Sequence, residues 1–78
     1  TLSTSKKVKL HNTIDTLIEK SKTTFSLHLC SLNLDFVFPE IYKLLALKRL
    51  DLSENNIVKL SPDIGNLINL KQLWLNNN

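Results

Sequence analysis

Little in this chain could build a disulfide, a phosphate loop or a membrane span. Its one cysteine, Cys30, has no partner for an internal bridge. Its one glycine, Gly65, excludes a glycine-rich phosphate loop. No run is long and apolar enough to cross a bilayer, no signal-peptide pattern opens the chain, and no Asn-x-Ser/Thr sequon occurs. The histidines are His11 and His28. Cys30, two positions after His28, stands near it at a chemically useful spacing. Such a pair is half of a metal site or the start of a nucleophile, but two outward positions on one strand account for it without either. Asp51 and Glu54 have no pocket around them to make an acid/base dyad. No catalytic, cofactor or metal residues are expected, and the chain is not read as an enzyme.

The charge is informative once divided. The net charge is +3, and Lys6, Lys7 and Lys9 stand in the first eleven residues with no acid among them. From Asn12 onward, Lys20, Lys22, Lys43, Lys48, Arg49, Lys59 and Lys71 balance Asp15, Glu19, Asp35, Glu40, Asp51, Glu54 and Asp63. Residues 1–11 are therefore read as a solvated basic tail. The remainder has no basic stripe that would call for a nucleic-acid partner.

What the chain has in quantity is leucine at a fixed interval. Leu47-Lys48-Arg49-Leu50-Asp51-Leu52-Ser53-Glu54-Asn55 and Leu70-Lys71-Gln72-Leu73-Trp74-Leu75-Asn76-Asn77-Asn78 both read L-x-x-L-x-L-x-x-N, every position offset by 23. One further step back places Leu27 and Leu29 under Leu50 and Leu52, Leu34 under Ile57, Val37 under Leu60 and Pro39 under Pro62. Two positions break the pattern: Thr24 stands for Leu47 and Leu32 for Asn55. The alternation Leu50-Asp51-Leu52 predicts a short strand with both leucines on one face. Asn55 falls where the chain must bend away, and its amide is suited to donate to carbonyls of neighbouring turns. Phe38-Pro39-Glu40-Ile41-Tyr42-Lys43-Leu44 matches Ser61-Pro62-Asp63-Ile64-Gly65-Asn66-Leu67. A proline in the first turn with an acid beside it predicts a short helical or 3₁₀ turn at each place.

A period in this range with this pattern is the signature of a leucine-rich repeat. The fuller form resembles the short cytosolic repeats of the Ras-suppressor and plant intracellular Ras-group type, over Phe25 to Asn78. The expected fold is α/β: a right-handed solenoid, with a parallel sheet on its concave side and short helical turns on its convex side. The repeats divide as 24–46, 47–69 and a partial 70–78. Residues 12–23 read as an amphipathic helix capping the first repeat, with Asn12 as N-cap and Leu10, Ile14, Leu17 and Ile18 on one face. The chain starts at Thr1 rather than Met and stops at the asparagine of a third strand. It therefore reads as a fragment of a longer array, with an open C-terminal end available for self-association.

If the leucines point inward, the concave face presents His28 from the first strand, Arg49, Asp51 and Ser53 from the second, and Gln72, Trp74 and Asn76 from the third. In register, His28, Asp51 and Trp74 share one row and Arg49 and Gln72 another, about 4.8 Å per step. A tryptophan beside an arginine and an aspartate is the composition of a protein-binding hot spot. The resemblance implies a non-catalytic protein-binding module of intracellular signalling or scaffolding. It is expected in the cytoplasm, with a small-GTPase pathway component as partner and neither nucleic acid nor membrane insertion. The alternative is that the repeats form the targeting arm of a larger enzyme, a deadenylase, phosphatase, kinase or GTPase.

Overall fold

The computed structural model describes residues 4–78. Helix α1 spans Thr4–Thr24. It begins well before Asn12, the expected cap. Residues 4–11 hold no proline or glycine, and lysine is a good helix former. Asn12 lies inside the helix, its carbonyl accepting from the Thr16 hydroxyl at 3.1 Å. Residues 1–3 of the expected tail fall outside the described residues. Ile14 and Ile18 are buried and belong to the same apolar cluster as Leu27, Leu29 and Leu50, with Leu10 and Leu17 packed at its margin. Phe25 ends the helix in the left-handed region (φ 60°), and its N–H donates to the Ser21 carbonyl at 2.8 Å, the usual way a helix stops.

Three short strands follow: β1 (Ser26–His28), β2 (Arg49–Asp51) and β3 (Gln72–Trp74). They form one parallel sheet in chain order. Leu27 pairs with Leu50 and Leu50 with Leu73, so the offset of 23 is the sheet register. The ladder outruns the strands. Leu29 N–H donates to Asp51 O at 2.8 Å and Ser31 N–H to Ser53 O at 3.1 Å. Leu52 N–H donates to Trp74 O and Glu54 N–H to Asn76 O, both at 2.9 Å. Just past each strand the chain turns through a left-handed residue: Ser31, Glu54 and Asn77 have φ of 57°, 55° and 62°.

The two expected turns are 3₁₀ turns, Pro39–Lys43 and Pro62–Asn66. Ile41 is fully buried, and its counterpart Ile64 is half-buried. Ser61 caps the second turn by accepting from Asp63 N–H at 3.2 Å. Phe38, at the same place in the first, makes no side-chain cap and instead packs at 5.6 Å from His11 of α1.

Asn55 does more than the sequence suggests. It is 5 % exposed. Its Nδ2 donates to the carbonyls of Leu29, Leu52 and Ser53, while Oδ1 accepts from the N–H groups of Leu32 and Leu34, both at 3.0 Å. It therefore completes the loop of the repeat before it. Asn78 does the same one step on, donating to Leu52 O at 2.9 Å and accepting from Ile57 N–H at 3.1 Å. This explains Leu32. What precedes the first repeat is α1, a helix whose interior backbone groups are already paired, so an asparagine at 32 would have no loop to complete. Thr24 departs for a related reason: it is the last residue of α1, and Ile14 and Ile18 supply the apolar contacts there.

Candidate binding face of the sheet

Leu27, Leu29, Leu50 and Leu52 are buried almost completely on the inner face, so the residues between them face outward. The register sets His28 beside Asp51 and Asp51 beside Trp74, and likewise Ser26, Arg49 and Gln72. In the second row, Arg49 Nε donates to Gln72 Oε1 at 2.9 Å. This bond fixes the plane of the guanidinium and leaves its Nη donors pointing elsewhere.

Asp51 accepts from the Ser53 hydroxyl at 2.6 Å and from the Ser53 N–H at 3.0 Å. The Ser53 hydroxyl does most to hold this carboxyl below the usual carboxylate range. Partial burial opposes the shift, while the Ser53 N–H, the nearby His28 and the Cys30 thiol add to it. Ser53 is itself 9 % exposed. The alternation of the strand puts it on the binding face, but it is buried and serves Asp51, because the chain is already turning toward the left-handed Glu54. His28, Arg49, Gln72, Trp74 and Asn76 are exposed, and Asp51 is half-buried.

Trp74 is 37 % exposed, about as much as its strand neighbours Leu73 (36 %) and Leu75 (38 %). β3 pairs on one edge only, so its inner leucines lack the cover that Leu50 and Leu52 have. Among the described residues no three His, Cys, Asp or Glu are grouped to hold a metal ion, and no helix is long and apolar enough to cross a membrane.

A count of charges misses how they are placed. Lys48 and Lys71 stand immediately before β2 and β3, whereas Asp51 and Glu54 lie where β2 ends and the chain leaves it. The signal for this was present in Lys48 and Lys71, which stand 23 apart.

Residues 46–78 match the family described as Leucine Rich repeats (2 copies). The match covers less than half of the chain, and the parallel sheet and short helical turns fit an α/β leucine-rich repeat fold. Such repeats are generally protein–protein interaction modules, typically without catalytic activity of their own. No curated protein and no solved structure matches the chain.

Proposed function

We propose that this chain is a non-catalytic protein-binding module that engages its partner on the outer face of the sheet. The observation that carries the reading is the aligned pair of rows, His28–Asp51–Trp74 and Ser26–Arg49–Gln72, with Arg49 oriented by Gln72 beside an accessible indole. Arginine and tryptophan dominate protein-binding hot spots. Asp51 already receives two hydrogen bonds from Ser53, so it enters the face as a fixed acceptor.

In this reading the repeats form a right-handed solenoid with the sheet on its concave side, and α1 caps the first repeat, supported by the burial of Ile14 and Ile18 against it. Residues 24–46, 47–69 and 70–78 are its units. The partly exposed Leu73 and Leu75 offer an edge that a further repeat or a second copy of the chain would cover. The free, exposed thiol of Cys30 favours a reducing, cytoplasmic setting. Resemblance to the Ras-suppressor type suggests signalling or scaffold work, with a small-GTPase pathway component as the first partner to test.

The test is capture from lysate with the unaltered chain and with the variant Arg49→Glu/Trp74→Ala, followed by mass spectrometry. A protein retained by the first and lost from the second, with both baits folded by circular dichroism, supports the reading. Identical capture by both baits would overturn it.

A further inference from the structure

The loops that lead into the three strands stack on one another as regularly as the strands do. Phe25 O accepts from Lys48 N–H at 2.9 Å and from Arg49 N–H at 3.2 Å. Lys48 O in turn accepts from Lys71 N–H at 2.8 Å and from Gln72 N–H at 3.1 Å. Phe25, Lys48 and Lys71 thus form one row across the start of the sheet. Lys48 Nζ lies 5.2 Å over the Phe25 ring, which steers this ammonium toward the first repeat.

A second row runs beside it. Asn69 Nδ2 donates to Leu45 O at 2.9 Å, tying the two corners together, and Leu45 and Ile68 stand 57 % and 83 % exposed at matching places. Between the end of α1 and the first of these corners is a shallow groove lined by Lys22, Phe25, Lys43, Leu45, Ala46 and Leu47. Its floor is apolar and its ionisable lining is basic.

The charge here is opposed at one end only, where Asp15, Glu19 and Glu40 line an adjoining groove with Lys22 and Lys43. No acid occurs in residues 20–34, 41–50 or 64–78. Lys22 is held by Glu19 at 2.8 Å. Among the described residues no carboxylate lies within 4.0 Å of Lys43, Lys48 or Lys71. The nearest carboxylates on β2 and its exit, Asp51 and Glu54, already accept from Ser53 and Ser31.

We propose that this strand-start edge docks an acidic peptide segment of a partner protein. An apolar side chain of that segment seats in the groove beside Phe25 and Leu45, and its carboxylates lie against Lys43, Lys48 and Lys71. The row from Phe25 to Lys71 spans two inter-strand steps, about 10 Å, the reach of about three residues of extended chain. A short peptide therefore matches it in length as well as in charge. This surface is distinct from the outer face of the sheet, and neither needs the other.

The probe is a synthetic peptide with one leucine between pairs of glutamates, titrated into the isotopically labelled full chain and followed by amide chemical shifts. The expected result is a saturable shift at Phe25, Leu45 and Lys48, with Asp51 and Trp74 unmoved. Binding should weaken as salt rises from about 50 to about 300 mM. The variant Lys43→Glu/Lys48→Glu/Lys71→Glu should bind about tenfold more weakly or worse, at the usual strength of three exposed ion pairs. If it loses its fold by circular dichroism, Lys48→Gln/Lys71→Gln carries the comparison and should bind several-fold more weakly. Trp74→Ala should bind as the unaltered chain does, which separates this site from the sheet-face reading. Equal binding of a peptide with lysines in place of the glutamates would overturn the proposal. So would shifts confined to the strands, or a response to phosphatidylserine vesicles without one to the peptide.

Discussion

At the scale of single residues, two side chains hold positions out of proportion to their size. Asn55 is buried and joins five backbone groups from two repeats. Asn55→Ala would strand the Leu32 and Leu34 N–H groups and the Leu29 carbonyl. The expected loss is about 3 kcal/mol in urea unfolding, each orphaned group costing on the order of 1 kcal/mol or more. Asn78 makes similar bonds but is exposed, so water can replace it, and Asn78→Ala should cost about 1 kcal/mol or less. Equal losses at the two positions would contradict the weight given to burial. Asp51 carries the second argument. Its pKa is lowered in the folded chain, first by the Ser53 hydroxyl. Its contribution to stability is therefore present above the ordinary carboxylate pKa and is lost as pH falls through the lowered folded value. Ser53→Ala should raise the Asp51 pKa toward the ordinary range, as read by a carboxyl carbon titration, and should leave stability less sensitive to acid in that window. An unmoved titration would mean that the Ser53 N–H, His28 or Cys30 dominates instead.

Among the elements, the strands and 3₁₀ turns were legible because each repeats its pattern at one offset. The offset was itself the register, so the rows on the outer face followed from the sequence with no further information. The start of α1 was not legible. Nothing in residues 4–11 marks a boundary, and Asn12, a strong cap in isolation, is also tolerated within a helix. Nor was the burial of Ser53, since it depends on a left-handed turn at a glutamate, a residue that does not announce one. The basic edge was hidden because summing charges along the chain discards where the loops stack. Two substitutions test the elements. Ile14 is 1 % exposed in the core, so Ile14→Ala should cost about 3 kcal/mol; a cost near zero would detach α1 from the repeats. Gly65 has no positive φ, and a methyl group added at its Cα would meet nothing within 4 Å. Gly65→Ala should therefore stabilise the second 3₁₀ turn by about 0.5 kcal/mol, through the unfolded chain, as a rise in the melting midpoint.

For the whole molecule, order should fall off along the stack. The buried cluster runs from Ile14 through Leu52 to Ile57 and Leu67, while Leu73 and Leu75 remain partly open. Native-state hydrogen exchange should find the Leu29 amide, bonded to Asp51 O, better protected than the Leu52 amide, bonded to Trp74 O. Equal protection would make the chain a single cooperative block. The backward reach of the asparagines adds a direction to this gradient. Asn55 finishes the loop that starts after Leu29, and Asn78 finishes the one after Leu52. Neither of these two loops supplies its own keystone; each waits for a residue made later. On the ribosome, where the chain emerges from its N-terminus, a repeat would stay unfinished until its successor has been translated. Folding would then follow synthesis with a lag of about one repeat.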